Sequence, residues 1–221
     1  PGHRLVSPEQ VVLAGNPHGR EKTLEPVPEI LRRGLRAYEN LELDVAIRRL
    51  SEAADRLERH PAAWSERHAE QYARALMFLG ASYILTGEPQ QGQEAFRRLL
   101  VVDPGAKLDP ELFPPGMVAT FESVRREVTG GARGSLAVAS VPGHGKVFID
   151  GEFQGVTPAT AEKLPVGKHL VVVRKTGFES WGGPVQIGTG HDNRAQCRLL
   201  DLVGGDALLA RAERAAAVMD E

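Results

Sequence analysis

One cysteine, Cys197, stands among 221 residues, so no disulfide can close within the chain and a cysteine-rich metal site is excluded. Aromatic residues make up only 5%, and no apolar run reaches the ~20 residues that a membrane-spanning helix needs. A basic excess is missing as well. Lys and Arg number 27 against 29 Asp and Glu, and neither half of the chain departs from that balance. Nucleic-acid binding, which draws on clustered cations, is therefore not expected. The seven histidines are scattered, and His60 and His68 are too far apart for the i, i+4 pair that grips zinc. Gly143-His-Gly145-Lys146 lacks both the earlier glycine and the following Ser or Thr of a phosphate loop, and reads as a turn. Asp150 and Glu152 flank a turn glycine with no further carboxylates clustered beside them, so acid–base hydrolysis has no support. No metal or cofactor is expected, and the chain is read as a non-enzyme. It opens at Pro1 without Met, as it would after removal of a signal peptide or an upstream piece.

What is present changes period along the chain. Residues 1–28 are dense in Pro and Gly around the apolar patch Val11-Val12-Leu13, and read as an N-terminal arm or the remnant of a preceding domain. From Glu29 apolar residues recur at three- and four-residue spacing: Ile30, Leu31, Leu35 and Tyr38, then Val45, Ile47, Leu50, Ala54 and Leu57. Further helices are expected over about Trp64–Leu85, Gln91–Val102 and Met117–Val128, giving a helical domain at 29–129. The Gly-rich stretch 130–134 is expected to be a linker between units that fold separately. Alternation with a period of two follows over 135–202, in Leu136 and Val138, Val185 and Ile187, then Ala195, Cys197 and Leu199. A short Ala-rich helix or tail is expected over 203–221. The fold class is α+β in two domains: α-helical hairpins, then a small antiparallel β-sandwich.

Two stretches carry family likeness. Val147-x-Ile149-Asp150-Gly151, Gly155-x-Thr157-Pro158, Pro165-x-Gly167-x-His169 and Gly177-Phe178 together resemble the PEGA domain, a small all-β module. The name-giving tetrapeptide keeps only Pro142; Gly143, His144 and Gly145 stand in for Glu, Gly and Ala. In the helical part, Leu76-x2-Leu79-Gly80-x2-Tyr83, then Gly92-x3-Phe96 and Pro104, resembles the tetratricopeptide repeat. A weaker copy runs through Ile30, Gly34, Ala46 and Leu50 in the same register, 46 residues earlier rather than the template's ~34, and the excess is expected in longer helices around Arg56–Glu70.

The resemblances imply a bacterial scaffold protein of the cell envelope, periplasmic or extracytoplasmic, although composition alone is compatible with either side of a membrane. A tetratricopeptide-like pair would bind a partner protein in a groove that repeat register assigns to Leu31, Leu35, Tyr38, Met77, Ala81, Ile84 and Leu85. Trp181, in a Gly-rich context, either stacks on a ligand such as cell-wall polysaccharide or covers the open end of the sandwich. A structural spacer in a larger assembly is the third reading.

Overall fold

The computed structural model describes residues 23–201. The expected C-terminal helix, and the N-terminal arm up to residue 22, lie outside them. Five α-helices come first among the described residues: α1 Val27–Glu39, α2 Leu43–Arg59, α3 Glu66–Leu85, α4 Pro89–Val102 and α5 Pro115–Gly130. Seven strands follow: β1 Arg133–Val141, β2 Lys146–Ile149, β3 Glu152–Val156, β4 Ala159–Pro165, β5 Gly167–Arg174, β6 Trp181–Ile187 and β7 Gly190–Arg198. The architecture is α+β in two domains.

The helices pack as antiparallel neighbours around the buried side chains of Leu50, Leu57, Leu76, Phe96, Leu99 and Phe121. Two glycines set the closest approach. A Cβ on Gly80 would stand 2.5 Å from the Phe96 ring, and one on Gly92 would stand 2.7 Å from Ile84 Cδ1. Gly80→Leu should therefore wedge α3 from α4 and cost about 1–3 kcal/mol or more. A thermal melt unchanged from the parent protein would show that the two helices do not meet at this point.

Helices α2 and α3 are separated by a 3₁₀ turn, Pro61–Ala63, and Trp64, whose indole Nε1 donates to Leu57 O at 2.9 Å. The stretch around Arg56–Glu70 thus holds an irregular insert, which corrects the expectation of longer helices alone there. Pro61 accounts for the break, because proline cannot continue the α2 hydrogen-bond ladder.

The strands form two sheets, ordered β4-β1-β7 and β3-β2-β5-β6. All pairings are antiparallel except β1 with β7, which run parallel. Their facing sides enclose Leu136, Val138, Val147, Ile149, Val171, Val173, Ile187, Ala195 and Cys197. Burial pushes the Cys197 thiol up to about 11, so it stays protonated and inert at neutral pH. Asp150 and Gly151 both have positive φ, 53° and 91°, forming the tight β2–β3 hairpin that the Asp-Gly dipeptide predicts.

The second sheet turns its outer side to the helices. Leu170 belongs to the helical core, while its neighbours Val171 and Val173 point into the sandwich. On the same outer side, Lys168 Nζ meets Glu58 Oε1 at 2.5 Å, and Arg174 donates to Trp64 O. Three glycines make room for this contact: Gly151 against Ala69, Gly167 against Val101, and Gly182 against Pro61 and Ala62. Gly130 ends α5 and Arg133 begins β1, so only Gly131 and Ala132 lie between the two domains.

Candidate functional site

Between α1 and α3 lies an open cavity of ≈ 440 Å³. Helix α1 contributes Pro28, Leu31, Arg32, Leu35, Arg36 and Glu39, the three- and four-residue spacing that keeps side chains on one helical face. Helix α3 contributes Glu70, Gln71 and Arg74. Leu31 and Leu35, 6% and 9% exposed, form an apolar floor. Above them Arg32 is taken up by Glu29, at 2.7 Å and 2.5 Å, and Arg33 binds the same carboxylate at 2.7 Å. Those hydrogen bonds, that from Arg32 foremost, hold the Glu29 carboxyl below its ordinary value. Arg36, Arg74, Glu39 and Glu70 form no ion pair among the described residues. Gln71 lines the same cavity, and its Oε1 atom is buried without a hydrogen-bond donor among the described residues. A buried acceptor left in this state is costly.

The other end of the α1–α3 seam is filled by the chain itself. Tyr38 meets Phe78 edge-on, with ring centroids 5.0 Å apart, and Phe113 lies 5.5 Å from Phe78 and 6.5 Å from Tyr38. Phe113 comes from the segment between α4 and α5, where Leu108 and Phe113 are both 4% exposed. Arg125 holds that segment down, donating to Pro104 O at 3.0 Å and to Ala106 O. Desolvation of the half-buried Tyr38 hydroxyl raises its pKa.

Of the residues that repeat register assigned to a groove, the structure brings Leu31 and Leu35 to the cavity. Tyr38 stands at the filled end. Met77, Ala81, Ile84 and Leu85 do not line the cavity. Ala81 is fully buried, Met77 and Ile84 pack against the helical core, and Leu85 is 40% exposed. Arg36, Arg74 and Gln71 escaped the sequence reading. For Arg36 the signal was its place one residue after Leu35, as Arg32 follows Leu31. Trp181 lies in β6 opposite Val173 and packs, half-buried, against the sandwich core.

In the β domain the Asp150–His169 pair is buried, with side chains 8% and 1% exposed. Asp150 Oδ2 meets His169 Nδ1 at 2.5 Å, Asp150 Oδ1 accepts the Leu170 N–H at 2.8 Å, and His169 Nε2 stands 2.8 Å from Pro165 O. At the far end Thr157 Oγ1 accepts the Gly145 N–H at 2.9 Å and contacts Ser140 Oγ at 2.6 Å. The three elements that hold these side chains are the Asp-Gly hairpin, the Thr-Pro step and the Pro-x-Gly-x-His strand entry.

Residues 133–200 match the PEGA domain. No curated protein matches the chain. The PEGA domain thus runs from the first residue of β1 to just past the end of β7. One of its departures in the name-giving tetrapeptide, Gly145, has a local cause. A Cβ there would stand 2.6 Å from Val173 Cγ1, whereas His144 keeps the left-handed φ of 62° that favours glycine. Among the described residues no helix is long and apolar enough to cross a membrane, and no group of three or more His, Cys, Asp or Glu could hold a metal ion.

Proposed function

We propose that this protein is a non-enzymatic scaffold of the bacterial cell envelope that captures an extended segment of a partner protein between α1 and α3. The helices read as a degenerate tetratricopeptide pair. The PEGA domain, by its family, belongs with extracytoplasmic binding modules and serves here as buttress and second surface. The observation that carries this reading is the cavity itself. It combines an apolar floor, Leu31 and Leu35, with the rim charges of Arg36, Glu39, Glu70 and Arg74, which form no ion pair among the described residues. An extended segment supplies what each part lacks: an apolar side chain for the floor, and charges of both signs for the rim.

A photo-crosslinking amino acid at Arg74, expressed in the native host, tests the reading against the same substitution at the exposed Arg194 on β7. One protein should be captured from position 74 and not from position 194, and Arg36→Glu should abolish that capture. Equal labelling at both positions, or capture indifferent to Arg36→Glu, would refute the groove.

A further inference from the structure

The buried Asp150–His169 pair lies directly beneath the contact between the two domains. Asp150 N donates to Leu170 O at 2.8 Å, and Asp150 Oδ1 accepts from Leu170 N at 2.8 Å, so the carboxylate clips the hairpin to β5. The residues beside the clip are those that touch the helices. Gly151 meets Ala69, Gly167 meets Val101, Lys168 meets Glu58, and Leu170 enters the helical core.

Both imidazole nitrogens face oxygen, Nδ1 a carboxylate and Nε2 a carbonyl. A carbonyl can only accept, so Nε2 must carry hydrogen. The 2.5 Å contact at Nδ1 then needs a second proton, on the ring or on the carboxyl. Removing that proton sets an imidazole lone pair against a charged carboxylate in a buried site, and one of the two contacts must open. We propose that the shared proton of Asp150–His169 is a latch, whose loss with rising pH loosens the seating of the PEGA domain on the helices.

Few other charges reach the pair. Glu152 on β3 is the second carboxylate near Asp150. Across the junction Lys168 is taken up by Glu58, which also binds Arg98 at 2.6 Å. Strand β6 places Val185 opposite His169, and α3 and α4 offer Ala69 and Val101. Burial disfavours the charged ring, but the hydrogen bond and charge of Asp150 outweigh it and hold the His169 proton above its ordinary 6.5. A raised folded value means that the stabilisation is complete below pH 6.5 and is lost as pH rises through the folded value.

The test is a nuclear magnetic resonance titration of the full chain from pH 6 upward. It follows the His169 ring nitrogens together with the methyl groups of Ala69 and Val101. Both ring nitrogens should carry or share a proton at pH 6, and the helix-side methyl signals should shift with the ring's own midpoint. Asp150→Asn supplies the control. Its amide can donate to Nδ1 while its oxygen still accepts from Leu170, closing the latch without a titrating proton, so the methyl signals should stay flat. A ring that titrates without moving those methyl signals overturns the proposal. So does an identical drift in Asp150→Asn. Should that variant fail to fold, the co-titration in the parent protein decides alone.

Discussion

Gly182→Ala is expected to cost about 3 kcal/mol and to lower the melting temperature by roughly 5–10 °C. Only one methyl group is added, and the backbone at Gly182 is not in the left-handed region, so the effect is steric. The new Cβ would overlap Ala62 N and stand 2.8 Å from Ala62 Cα and 3.0 Å from Pro61 C. These are backbone atoms of the 3₁₀ turn, which cannot rotate aside as a flexible side chain could. Either β6 moves off the insert or the insert distorts, and both loosen the contact around Arg174 and Trp64 O. A melt within a degree of the parent would show that the PEGA sheet does not rest on the insert.

Glu58→Ala should be nearly as damaging, at about 2–3 kcal/mol. Glu58, only 14% exposed, binds Arg98 at 2.6 Å from α4 and Lys168 at 2.5 Å from β5, and accepts from Tyr72 Oη at 3.2 Å. Burial acts to raise its pKa, but those cations outweigh it and keep the carboxyl ionised. Removing the carboxylate strands the Arg98 guanidinium and the buried Tyr72 hydroxyl together. The figure stays below that for a fully enclosed pair because Lys168 is half exposed. Glu58→Gln should recover part of the loss through Tyr72 and Arg98. Equal melts for all three proteins would leave the junction without its polar anchor.

Much of this fold was legible in the residues. The Asp150-Gly151 hairpin, the Thr157-Pro158 step and the Gly80–Phe96 contact follow from turn chemistry and side-chain size, which act locally. The junction was not read, although two signals pointed to it. Leu170-Val-Val-Val173 lacks the alternation of Leu136 and Val138, or of Ala195, Cys197 and Leu199. A strand with no polar side is covered on both faces, and here the helices cover the second. The other signal was the spacing of 46 residues between Gly34 and Gly80, a stretch that includes the turn on which Gly182 rests. Leu31 and Leu35, which repeat register assigned to a groove, line the α1–α3 cavity, but that register could not foresee that Phe113 would fill the seam beside Tyr38. That segment lies 75 residues further along the chain, and nothing local ties it to α1.

The central claim is that helices and PEGA domain are seated as one unit. The chain's 2 tryptophans fall one in each domain, Trp64 and Trp181, which gives a direct test. In Trp64→Phe the remaining tryptophan fluorescence, from Trp181, reports the PEGA domain, while circular dichroism at ~222 nm follows the helical content. A single denaturant titration at pH 6 should give superimposable transitions from the two probes. Midpoints that separate, with helices and sandwich unfolding in two steps, would contradict the account.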